Sequence, residues 1–240
     1  MKDCQKIKMG DRRLKKAILA LLLILIISCD EKENKEIIEV QTTNEVINYL
    51  ALGDSYTIGQ GVEEFQRWPI QLGEKIEELN YDVDEIKIIA RTGWTTSNLL
   101  QAIENTEIGK FNLVSLSIGV NNQFQNQSFT KFETEFDILL NKSIEFAGDI
   151  NNVFVVSIPD YGVTPFGRSN SESIGKEIDR YNEYISVQCE EKGIPFINIT
   201  EVSRELGDSE GALASDNLHP SGSQYAQWTD IIVRTVIELL

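Results

Sequence analysis

Five short apolar runs, each followed by a segment with helical spacing, leave few architectures open to this chain. The runs are Ile47 to Leu52, Ile86 to Ala90, Leu113 to Ile118, Val153 to Ile158 and Phe196 to Ile199. Each is near-continuously apolar, as a strand covered on both faces requires. In the segments between them, apolar residues recur every three or four positions: Ile70, Ile76 and Leu79; Leu99, Leu100 and Ile103; Phe132, Phe136, Leu139 and Ile144; Ile174, Ile178, Tyr181 and Ile185. A last such segment follows Ser221, with Tyr225, Trp228, Ile232 and Leu239 on one side. Alternating strands and helices imply right-handed crossovers, hence a parallel sheet with helices on both faces. The expectation is one three-layer α/β domain over residues 47–240, with ligands outside the carboxyl ends of its strands.

The first 46 residues read differently. Seven Lys and Arg residues precede an unbroken apolar run from Ala17 to Ile27, the pattern of a secretory signal over residues 1–28. Eleven apolar residues are too few to span a hydrocarbon core, which needs about 20. The run ends in Leu-Ile-Ile-Ser-Cys, which resembles the lipobox of bacterial lipoproteins. That resemblance implies cleavage before Cys29, acylation of Cys29, and a protein of the bacterial cell envelope held to a membrane by its lipid; a plain cleaved signal is the alternative. Residues 29–46 are polar and acidic and suit a flexible tether, with an amphipathic helix as the other reading. Cys4 leaves with the signal and Cys29 carries lipid, so Cys189 stands alone, without a disulfide partner, as a small buried hydrophobe on a helix.

Composition narrows the function classes. Residues 1–28 hold seven of the 22 Lys and Arg residues but only two of the 38 Asp and Glu, so the remainder carries 15 basic against 36 acidic residues. A chain so acidic lacks the basic footprint that nucleic acid requires. No His/Cys cluster is present to hold a metal, and no organic cofactor is called for.

Three loops fall at the expected rim. Gly53, Asp54 and Ser55 follow the first strand, Thr92 to Trp94 the second, and Gly119 to Asn122 the third. Gly-Asp-Ser serves equally as a tight turn or as the seat of a nucleophile. The sole histidine, His219, lies three residues after Asp216 in Asp-Asn-Leu-His, just ahead of the last helix. A base beside its orienting acid and a satisfied turn histidine both fit. A phosphate-binding loop does not fit, because Gly-Asp-Ser-Tyr-Thr-Ile-Gly-Gln-Gly lacks the Gly-Lys-Ser/Thr ending.

Taken together, Gly-Asp-Ser-Tyr, the glycine of Arg-Thr-Gly-Trp-Thr-Thr, Gly-Val-Asn-Asn and Asp-Asn-Leu-His resemble, in order, the four blocks of the SGNH hydrolases, also called the GDSL esterase and lipase family. The resemblance covers Leu50 to the C-terminus. It implies a flavodoxin-like α/β/α sandwich with a five-stranded parallel sheet and a serine esterase acting on small-molecule, glycan or lipid esters. By position, Ser55 matches the nucleophile, His219 the base and Asp216 its acid. Gly93, Asn121 and the Ser55 amide match the oxyanion donors. Tyr56 stands where the family usually has Leu, and Asn122 where it usually has Asp. A carbohydrate deacetylase, a lysophospholipase and a non-catalytic module that kept the fold are the alternatives. Asp54 reads as structural, tying its loop through backbone amides.

Overall fold

The computed structural model describes the backbone of residues 5–8 and all of residues 46–240. Five strands run parallel: β2 (Ile47–Gly53), β3 (Val83–Ala90), β4 (Leu113–Ser117), β5 (Val153–Val156) and β6 (Phe196–Ile197). A further strand, β1 (Gln5–Lys8), pairs antiparallel with β3 at the sheet edge, giving the order β1-β3-β2-β4-β5-β6. It falls within the segment read as a leader. The apolar run Ala17 to Ile27, Cys29 and the tether up to residue 45 lie outside the described residues.

Between the strands lie α1 (Ser55–Ile58), α2 (Trp68–Glu78), α3 (Thr96–Glu104), α4 (Val120–Phe124), α5 (Phe129–Ala147), α6 (Ser171–Lys192), α7 (Thr200–Leu206) and α8 (Gly222–Val236). Helices α2 and α8 pack together on one face, and α3, α5 and α6 pack together on the other. The apolar positions anticipated for α5 and α6 point inward: Phe132, Phe136, Leu139, Ile174, Ile178, Tyr181 and Ile185 are all buried. Ile144, anticipated with them, is only half-buried against the core. Phe132 and Tyr181 meet with ring centroids 4.4 Å apart, joining these two helices. Trp68 and Trp228 are core residues, and Cys189 is a buried free thiol on α6 whose burial pushes it up to about 12.

Several strand ends differ from the sequence reading: β3 begins at Val83 rather than Ile86, and β4 and β5 end at Ser117 and Val156 rather than at Ile118 and Ile158. The last strand was expected to reach Ile199 but pairs only over Phe196–Ile197. Beyond it, Ser157 Oγ accepts the Ile199 amide (2.9 Å) and Asn198 Oδ1 accepts the Thr200 amide (2.9 Å), turning the chain into α7. Leu79, expected on the buried side of α2, is its C-terminal cap and is exposed.

The chain crosses from β2 to β3 on one side and then returns to β4 on the other. This reversal opens a crevice at the carboxyl ends of β2 and β4, where doubly wound sheets bind their ligands. Gly53 and Gly119 stand at that crevice.

Candidate active site

Strand β2 ends where it comes closest to β4. A Cβ on Gly53 would lie 2.6 Å from the Ser117 carbonyl oxygen and 2.1 Å from Thr57 Oγ1, so only glycine fits the junction. The next residue, Asp54, caps α1 by accepting the Tyr56 amide at Oδ1 (3.0 Å). Ser55 then opens the helix at the floor of the crevice. The Gly-Asp-Ser stretch is therefore a tight turn and, through that turn, a mount for the serine. Burial pushes the Asp54 carboxyl up to about 7, against the opposing pull of its amide hydrogen bond.

Asp216 and His219 are joined within one loop. His219 Nδ1 donates to Asp216 Oδ2 (2.7 Å), while Asp216 Oδ1 accepts the amides of Leu218 and His219 (3.0 Å each). Asn217, with φ +58°, supplies the bend that brings both amides to one carboxylate. The loop closes on itself through Ala214 N–H to His219 O (2.8 Å) and Ser221 N–H to Ala212 O (2.9 Å). Partial burial raises the Asp216 carboxyl, but the hydrogen bonds from His219 and the two amides outweigh it and hold the acid below its usual value. An ionised Asp216 can only accept, so Nδ1 carries the proton and Nε2 is left with its lone pair. The Tyr56 ring lies 5.1 Å from the imidazole and 6.3 Å from Trp228, walling the histidine from behind.

The remaining candidates come from the loops after β3 and β4. Gly93 has φ +83° with open space where a Cβ would stand. The left-handed backbone at this position favours glycine over any other residue. Its carbonyl accepts Gln125 Nε2 (3.1 Å). Asn121 donates one amide hydrogen to the Trp94 carbonyl (2.9 Å), and among the described residues no acceptor takes the other. Its neighbour Asn122 is fully buried, accepting the Thr96 amide (3.0 Å) and donating to Thr96 Oγ1 (2.7 Å). Asn122 thus binds the two loops together, and Asn121 faces the crevice.

Ser55, Gly93, Asn121 and His219 line a single cavity of about 210 Å³. Among the described residues no hydrogen bond joins Ser55 Oγ to the imidazole; such contacts commonly close when substrate fills the site. Among the same residues, no group of three or more His, Cys, Asp or Glu is placed to hold a metal. Three aromatic lining residues, Phe124, Tyr161 and Phe166, were not legible as site residues. Phe124 lies three positions beyond Asn121, which is the one hint available; Tyr161 and Phe166 come from the segment after β5 and have no sequence signature.

Asp54 generates a test. Its folded-state carboxyl keeps its proton to about pH 7, whereas an unfolded aspartate releases it near pH ~4. The stability this difference contributes is full below that lower value and is lost as pH rises through about 7. Asp54→Asn keeps the cap and removes the titration. Its Tm should decline less than that of the unaltered protein between those two pH values; parallel Tm profiles by differential scanning calorimetry would contradict this.

Residues 51–227 match the family of GDSL-like lipases and acylhydrolases. No curated protein matches the chain. Among solved structures, the lipase Lip_vut3 from a goat rumen metagenome superposes with TM-score 0.64 at 20% identity, covering 79% of this chain and 97% of its own. The acetyl xylan esterase Axe2 from Geobacillus stearothermophilus gives 0.62 at 18%, covering 79% and 94%. A phospholipase A1 from Streptomyces albidoflavus NA297 gives 0.59 at 19%, covering 81% and 100%. At such identities the likeness is one of fold.

Proposed function

Because this chain belongs to the GDSL-like lipase/acylhydrolase family, we propose that it hydrolyses carboxylic esters through an acyl-enzyme on Ser55. One observation carries the reading: Ser55, the Asp216-bound His219 and the two candidate oxyanion residues all open onto the same cavity. Ser55 Oγ attacks the ester carbonyl as His219 Nε2 takes its proton. Charge developing on the carbonyl oxygen meets the amides of Ser55 and Gly93 and the second amide hydrogen of Asn121. The imidazolium, steadied by Asp216, returns the proton to the leaving alcohol as its C–O bond breaks. Water then attacks the acyl-enzyme with His219 again as base, releasing the acid. A fluorophosphonate should label one serine, Ser55, and Ser55→Ala should lose labelling and turnover together; labelling at Ser97 or Ser223 would end the assignment.

The two asparagines separate chemistry from structure. Asn121→Ala removes a donor used in the transition state, so kcat should fall roughly 10²- to 10³-fold with KM nearly fixed and Tm little changed. Asn122→Ala empties a fully buried hydrogen-bonded site and should lower Tm first, leaving kcat of the folded fraction closer to normal. The reverse pattern at matched stability would overturn the assignment.

The same reading includes export as a lipoprotein anchored through Cys29. Cleavage there removes β1, leaving β3 as the sheet edge, while every cavity residue is retained. Among the described residues no helix is long and apolar enough to cross a membrane. Cys29→Ser should move the protein from membranes to the soluble envelope fraction with its esterase activity intact; an unacylated N-terminus on the unaltered protein would contradict the anchor.

A further inference from the structure

Resting on the serine-esterase reading, we propose that Phe124 and Phe166 form a clamp for the alkyl chain of the acyl group, which makes medium-chain acyl esters the preferred substrates. The two rings lie 5.8 Å apart and pack against Tyr161, at 6.0 Å from Phe124 and 6.4 Å from Phe166. Both phenylalanines line the cavity that holds Ser55, yet they are 49% and 54% exposed. Large aromatic surfaces left half in water at the mouth of a site are recovered when a ligand covers them.

The directions around a tetrahedral intermediate decide which part of the substrate reaches the rings. Its oxyanion must face Gly93 and Asn121, and its leaving oxygen must face His219 Nε2. The acyl carbon takes the direction left over. Two sides of the cavity are committed to chemistry: the loops carrying Gly93 and Asn121, and the Leu218–His219 loop. The rest of the lining includes the aromatic wall, of which Tyr161 and Phe166 come from the segment after β5, which supplies neither oxyanion donor nor base. Phe124 stands one turn beyond Asn121 on α4, about 4.5 Å further along the helix. A chain of several carbons gives the acyl group more reach toward that ring than a methyl does.

The wall is held for apolar contact. Tyr161 Oη donates to Gln123 Oε1 (2.8 Å), and Gln123 Nε2 donates to Glu177, so the hydroxyl is tied back and the ring is what the cavity sees. Asp160, paired with Arg204 Nε (2.9 Å), caps the turn that carries Tyr161 by accepting the Gly162 amide (2.8 Å).

The experiment measures kcat/KM on p-nitrophenyl acetate, butanoate, hexanoate and octanoate with the full chain and its Phe124→Ala and Phe166→Ala variants. For the unaltered protein kcat/KM should rise by up to about fourfold per methylene, the equivalent of ~0.8 kcal/mol per buried CH₂, and flatten once the chain passes the rings. Each variant should lower the octanoate-to-acetate ratio at least tenfold. The rings sit on separate elements and are half exposed, so the two variants test the clamp independently. A ratio flat with chain length in the unaltered protein overturns the proposal, whatever the variants do. So does a ratio unmoved by both substitutions, or a matching effect on a series of alkyl acetates that lengthens the alcohol instead. Activity that rises only with phosphatidylcholine vesicles, at constant chain-length ratio, also overturns it by making the rings a membrane contact. Failure of the underlying reading looks different: no ester is turned over and Ser55 is not labelled.

Discussion

Parallel pairing of β2 with β3 on one side and β4 on the other is the constraint on which the rest of this structure depends. It aligns Gly53 with Ala90 and with Ser117, so three loops leave the sheet at one level. Those loops carry Ser55, Gly93 and Asn121. A one-residue slip in either ladder would turn buried side chains outward and shift one loop along the rim. The burial of every residue in β4 and β5 makes such a slip costly, so the hydrophobic effect that builds the core also sets the alignment of the site.

Alignment by the sheet is finished by polar ties between loops. Asn122 links the start of α3 to α4 through two hydrogen bonds to Thr96, and Gln125 reaches back to the Gly93 carbonyl. Thr92 Oγ1 donates to Gln60 Oε1 (2.6 Å), joining the second loop to the first. The histidine loop needs no such brace, because Asp216 and its neighbouring amides organise it locally. The site therefore combines one self-contained piece with three pieces that depend on one another.

Fidelity of position has an energetic cost behind the serine. Asp54 sits where its charged form is disfavoured, and Tyr225 Oη, Trp228 Nε1 and Gln224 Oε1 are buried without a hydrogen-bond partner among the described residues. Of these, Trp228 has its ring 6.3 Å from that of Tyr56, which in turn lies 5.1 Å from the His219 imidazole. Tyr56, standing where the family usually has Leu, places a flat aromatic ring beside the imidazole and also lines the cavity.

Two kinds of information separate in this chain. Strand and helix order followed from hydrophobic periodicity, because burial on two faces or one leaves its own repeat in the chain. Ser55, Asp216 and His219 were legible as candidates through the resemblance of their short blocks to a family pattern, since the residues taken alone also fit ordinary turns. The different duties of Asn121 and Asn122 were only partly so, since adjacent asparagines look alike until a helix sends one into the core. The left-handed φ of Gly93 was not legible, as it is a property of the folded backbone. Phe124, Tyr161 and Phe166 were invisible as a group. An aromatic wall is assembled from segments far apart in sequence, and the contacts between its rings are weak, unspecific and independent of spacing. The sequence alone determined the layers of the fold and named the candidate reacting groups; only tertiary structure decided what surrounds them, because that depends on which distant surfaces the sheet brings together.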